Sequence, residues 1–262
     1  LKPFAGWVQA APQGQEMSPV LIAAVLLTAL GTSVLSGIFG MAGGLVLIGV
    51  LLVLLPVPEA MALHAVTQIA SNGWRALLWR RHIRWRPVLA VSAGGLVALG
   101  AWSLVLLVPD RGVALLMLGA SPFLVRALPA RWQPDPLRPA HGVAAGAAGM
   151  SLMVMTGVSG PLLDRVFLGG QLDRREIVAT KAAVQALSHT LKLVYFGALV
   201  ANPGSVDPWL AAAAILAAML GTMLARRVLE AMTEAQYRRW ADRIIAAIGG
   251  FYICQGSWLL LA

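Results

Sequence analysis

The chain has 262 residues, 59% of them apolar and 12% charged, with a mean hydropathy of +0.78. A soluble domain averages roughly 45–50% apolar and about 25% charged residues, so this composition excludes an ordinary soluble enzyme, a disordered chain and a coiled coil. The single Cys254 excludes a disulfide framework and a cysteine-built metal site. The formal charge of +9 is concentrated in short arginine-rich stretches between apolar runs, as membrane orientation requires, and no basic face with interleaved aromatics points to nucleic acid.

In chain order, residues 1–17 are polar and Pro/Gly-bearing, an expected flexible segment with Met17 a candidate natural start and only Lys2 to charge a signal peptide. A spanning helix needs about 20 mostly apolar residues. Apolar runs follow at 18–38, 41–55, 60–79, 87–108, 112–129, 141–156, 159–170, 176–199, 208–229 and 242–261. The runs 41–55 and 159–170 are too short to cross unaided, and each follows a Gly-rich break. The stretches 18–55 and 141–170 therefore read as re-entrant or broken-helix hairpins.

Arginine placement sets the direction of the spans. Arg80, Arg81, Arg84 and Arg86 fill one loop, Arg126, Arg131 and Arg138 another, Arg165, Arg174 and Arg175 a third, and Arg226 to Arg243 a fourth. With these loops in the cytoplasm, both termini lie outside. Each half is then one hairpin followed by three spans. Because three is odd, the second half is inverted relative to the first. The expectation is an all-α polytopic membrane protein of two inverted-topology repeats, 18–129 and 141–262, joined by a cytoplasmic linker at 130–140, an architecture common among secondary transporters.

Polar groups inside the spans repeat as well. His64, Gln68, Ser71, Asn72 and Arg75 in the first half match Lys181, Gln185, Ser188, His189 and Lys192 in the second, each shifted by 117. Steps of four, three, one and three keep each set on one helical face. Gln68, Ser71 and Asn72, like Gln185, Ser188 and His189, fall near the middle of their spans. Polar groups at that depth need partners or a wet cavity. The plainer reading is that they glue helices together; the symmetric set favours a cavity.

Glycine breaks add donors. Gly37-Ile-Phe-Gly40 corresponds to Gly157-Val-Ser-Gly160, and Ser159-Gly160-Pro161 has the composition of a helix start. Two half-helices starting deep in the membrane would aim unbonded N–H groups at a shared anion, with Ser36, Thr156 and Ser159 hydroxyls beside them. The competing reading of the glycines is close helix packing. Lys192 either compensates a bound anion or snorkels outward along its helix. Lys181 lies near enough to the inner end to reach solvent, Arg75 near enough to meet headgroups, and both are secondary candidates with His64. His189 either relays protons or is hydrogen-bonded in place.

These residues resemble the TauE/SafE family of sulfite exporters. The resemblance is carried by Ser36-Gly-Ile-Phe-Gly-Met-Ala-Gly-Gly44 and, more specifically, by Ala179-Thr-Lys-Ala-Ala-Val-Gln-Ala-Leu-Ser-His-Thr-Leu-Lys-Leu-Val-Tyr-Phe-Gly197, and extends from about residue 18 onward. It implies a multi-pass permease of the bacterial inner membrane, moving sulfite, an organosulfonate such as sulfoacetate, or thiosulfate. The chain departs from the usual family pattern at Pro161-Leu-Leu, where further glycines are more common.

The expected substrate-binding set is Ser36, Gly37, Gly40, Gln68, Ser71, Asn72, Thr156, Gly157, Ser159, Gly160, Gln185, Ser188, His189 and Lys192. The expected partners are a small anion and the bilayer, with protons as a candidate coupling ion and no cofactor. No HExxH, paired carboxylates or Ser-His-Asp arrangement supports an enzyme. The rival readings are a passive anion channel and an intramembrane enzyme or assembly factor.

Overall fold

The computed structural model describes residues 18–39, 42–129, 134–168, 172–200 and 207–261. Residues 1–17, Gly40 and the first four residues of the expected linker, 130–133, lie outside the described residues. The described chain is helical between short connections: α1 (Pro19–Phe39), α2 (Ala42–Leu54), α3 (Val57–Leu78), α4 (Trp85–Val105), α5 (Arg111–Ala127), α6 (Pro139–Thr156), α7 (Gly160–Leu168), α8 (Arg174–Val194), α9 (Pro208–Ala231) and α10 (Glu234–Leu261). A 3-10 turn, Arg80–His82, follows α3, and a π-helical turn, Tyr195–Val200, extends α8.

Among the described residues, five helices are long and apolar enough to cross a membrane: α1, α4, α8 with its π extension, α9 and α10. The helix α3 has 22 residues, but Glu59, His64, Gln68, Asn72 and Arg75 dilute its apolarity. The short elements are the second arms of the two expected hairpins, α2 with 13 residues and α7 with 9.

Local chemistry accounts for several boundaries. Asp110 caps α5, accepting from the N–H groups of Gly112 at 2.7 Å and Val113 at 3.4 Å. A full capping box opens α8, in which Asp173 accepts from the Glu176 N–H and the Glu176 side chain accepts from the Asp173 N–H. Pro139 stands in the first turn of α6, where its missing N–H is not needed. That helix ends at Gly157, whose φ of 82° is the left-handed C-terminal conformation that glycine adopts freely.

Four helix pairs build the body: α1 with α9, α4 with α6, α5 with α10, and α3 with α8. Lipid tails are as apolar as leucine, so such pairs gain most from close backbone approach at small residues. A Cβ on Gly94 would strike the Val143 carbonyl, and one on Gly146 the Val91 carbonyl, which joins α4 to α6. Gly37 meets Ala225, and Gly221 meets Leu30, between α1 and α9. Gly119 and Gly256 do the same between α5 and α10. The stretches 18–129 and 141–262 thus interleave rather than stand side by side. At the centre lies α2, with Leu45, Leu47, Ile48, Leu51 and Leu52 all buried.

Candidate functional site

Between α3 and α8 the two short arms, α2 and α7, converge on one partly enclosed cavity. Its wall takes Gly44 and Leu45 from the first turn of α2; His64, Gln68 and Asn72 from α3; Val158, Ser159, Gly160 and Pro161 from the α6–α7 break; and Gln185 and His189 from α8. The room inside is about 20 Å³, taken as space for the centre of a water-sized sphere, against the roughly 10–15 Å³ that one water needs. A larger groove of about 550 Å³ runs over Ile69, Gly73 and Trp74 on the other face of α3. It is apolar throughout and offers nothing to an anion.

The cavity is rich in donors. The first i→i−4 bond of α7 runs from the Leu163 N–H to the Ser159 carbonyl at 3.0 Å. The N–H groups of Gly160 and Leu162 therefore precede the hydrogen-bonded ladder, and Pro161 has none to leave unsatisfied. Ser159 Oγ is buried with no hydrogen-bond partner, and so is His189 Nδ1. Asn72 donates its amide to the Gln68 carbonyl at 2.9 Å and to Gln68 Oε1 at 3.1 Å, which leaves the Gln68 NH2 free to donate. No Asp or Glu stands among the residues lining the cavity.

Behind the wall is a basic side chain. Lys192 is completely buried, which excludes the snorkelling reading. Its Nζ donates to the Gly157 carbonyl at 3.0 Å and stands 2.6 Å from His64 Nδ1. The other ring nitrogen, His64 Nε2, lies 3.0 Å from the Gly44 carbonyl. A carbonyl only accepts, so Nε2 carries the hydrogen and Nδ1 accepts from Lys192. The rings of His64 and His189 meet edge to face, with centroids 5.3 Å apart.

Arg75, 117 positions before Lys192, acts in a parallel way, donating to the Ser36 carbonyl at 3.1 Å. Each of these bases therefore binds a carbonyl at the C-terminal end of the first arm of its own hairpin, where a helix presents partial negative charge. That leaves the N-terminal ends of the second arms to set the field in the cavity.

Of the sequence-derived set, the structure brings Gln68, Asn72, Ser159, Gly160, Gln185 and His189 to the cavity, together with the secondary candidate His64. It places the others elsewhere. Gly37 lies within α1 against α9, not at the break, so close packing is what this glycine does. Ser71 Oγ is 2.9 Å from Thr222 Oγ1 on α9. Ser36 and Thr156 are buried away from the lining, and the Thr156 hydroxyl is engaged by Leu152 and Val158 around the break. Gly157 spends its N–H on the Met153 carbonyl at 2.9 Å. Ser188 is half-buried off the wall. Lys181 does not run free into solvent but pairs with Asp164 of α7. Sequence reasoning missed Gly44, Leu45, Val158 and Pro161 as lining residues. It also missed the joint role of Lys192 and His64, although the regular shift of 117 had already singled out both positions.

A multi-pass, all-helical membrane protein with a small, donor-lined cavity where broken helices meet is the class that these features define. The chain belongs to the sulfite exporter TauE/SafE family, whose family model matches residues 25–252, and is accordingly a membrane transporter of the sulfite-exporter type. No curated protein and no solved structure matches it.

Proposed function

We propose that the protein is a secondary permease that carries a small sulfur oxyanion or organosulfonate across the bacterial inner membrane, outward, by alternating access. The observation that carries this reading is the pair of buried, unpartnered polar atoms, Ser159 Oγ and His189 Nδ1, beside the start of α7. A buried polar atom without a partner costs free energy, and an anion supplies the missing acceptor. Gln68, Gln185 and the N–H groups of Gly160 and Leu162 complete the cradle. Sulfite is the compact candidate; sulfoacetate or thiosulfate requires the walls to part further.

The helix pairings support inverted repeats. Exchanging α1 to α5 for α6 to α10 turns the α1–α9 contact into α6–α4, turns α3–α9 into α8–α4, and returns α3–α8 and α5–α10 to themselves. On this reading the moving bodies are α1, α2, α3 and α9 on one side and α4, α6, α7 and α8 on the other, so each borrows a helix from the other repeat. Arginine-rich loops in the cytoplasm put both termini outside.

Flux into proteoliposomes with sulfite, thiosulfate, sulfoacetate and a carboxylate control tests the proposal. Saturable flux of a sulfur anion is expected, and Ser159→Ala or Gln185→Ala raises its half-saturation concentration about tenfold or more, the value of a hydrogen bond to a charged group. Non-saturating flux would favour a channel. Equal affinities in both variants would remove the site.

A further inference from the structure

One hydrogen-bonded chain crosses the cavity wall from end to end. It runs from the Gly44 carbonyl in the first turn of α2 to His64 on α3, on to Lys192 on α8, and then to the Gly157 carbonyl at the end of α6. Two of its members belong to the body of α1, α2, α3 and α9 and two to the body of α4, α6, α7 and α8. Any motion that separates those bodies along the α3–α8 contact must break its middle link.

With Lys192 as an ammonium, that link accepts only one state of His64. His64 Nε2–H faces a carbonyl, so Nδ1 must stay bare to accept from Lys192. A proton added at Nδ1 forms an N–H there and breaks the Lys192 N–H···N bond. It also sets an imidazolium against an ammonium at 2.6 Å, a like-charge contact poorly screened in a buried site.

One further titratable ring stands against the pair. It is that of His189, from the same helix as Lys192. Tyr195 begins the π turn beyond, its hydroxyl donating to the Leu107 carbonyl at 3.0 Å. Glu59 lies in the first turn of α3 and Arg75 near its other end, while α2 has no titratable side chain. Arg86 of α4, His141 of α6 and sequence positions 226, 227 and 230 of α9 lie toward the arginine-rich ends of their helices, as do Arg80, Arg81 and His82 of the 3-10 turn, while Asp164 of α7 pairs with Lys181 of α8.

We propose that His64 and Lys192 form the proton-binding site of the carrier: the pair latches the two bodies together while His64 is neutral and releases them when His64 takes up a proton, which couples proton movement to anion movement. This rests on the permease reading above, and two readouts separate the two claims. The first is the distance between nitroxide labels at Val20 on α1 and Leu104 on α4, in a Cys254→Ser background, followed against pH in nanodiscs without any anion. The wild type is expected to shift its distance distribution on acidification. His64→Gln, whose amide donates to Gly44 and accepts from Lys192 but takes up no proton, is expected to hold the high-pH distribution throughout.

The second readout is sulfite accumulation in proteoliposomes with the membrane potential clamped. If one proton accompanies each anion, a gradient of one pH unit changes the steady-state sulfite ratio about tenfold, and His64→Gln loses that dependence. A wild-type distance that ignores pH, or a pH response that persists in His64→Gln, would overturn the proposal even if sulfite flux saturates. Absent sulfur-anion flux with the label response intact would support the latch and sink the permease reading.

Discussion

Gly157 has three demands on it at once. Its φ is 82°, its N–H closes α6 and its carbonyl receives Lys192. A Cβ there would press on Ile48 Cγ1 at 2.7 Å and Met61 Sδ at 2.9 Å. Backbone strain of this kind costs about 1–3 kcal/mol, before any displacement of α2 and α3. Gly157→Ala is therefore expected to lower the thermal unfolding temperature in detergent clearly more than Gly31→Ala, where a Cβ meets nothing within 4 Å. Equal temperatures for the two variants would mean that the break tolerates a side chain. At this scale much was legible: helical spacing and mid-span depth singled out Gln68, Asn72, Gln185 and His189 without coordinates. The direction of Lys192 was not, because a long side chain on a helix can run toward either end, and only the position of the Gly157 carbonyl decides between them.

The helix elements were legible where their signals were local. Lengths of apolar runs located the spans, and Ser159-Gly160-Pro161 marked the start of α7, which begins at Gly160. Glycines were ambiguous because a GxxG spacing serves a break and a helix crossing equally well. Gly157 lies at a break, whereas Gly37 lies at the α1–α9 crossing. The same physics makes the α4–α6 crossing depend on Gly94 and Gly146, each set against a backbone carbonyl that cannot step aside. Gly94→Val is expected to abolish a monodisperse, folded preparation or to lower its unfolding temperature sharply, and Gly37→Val to weaken the related α1–α9 crossing. Size-exclusion profiles and thermal melts decide the matter; two well-behaved variants would show that these crossings do not hold the bundle.

For the whole molecule, charge and parity indicated direction but not neighbours. Which helix packs on which depends on small-residue surfaces spread over 262 residues, and no local pattern reveals that α1 lies on α9 or α4 on α6. Once those contacts are known, the short arms of both hairpins fall at one cavity, and two of the pairs spaced by 117, Gln68 with Gln185 and Asn72 with His189, both line it. The account stands on that cavity holding an anion at the start of α7. Anomalous diffraction from crystals grown with selenite, a heavier relative of sulfite, tests it directly: a selenium peak is expected within hydrogen-bonding reach of Ser159 Oγ and His189 Nδ1. A protein saturated with selenite whose peak lies elsewhere, or whose cavity stays empty, would contradict the account.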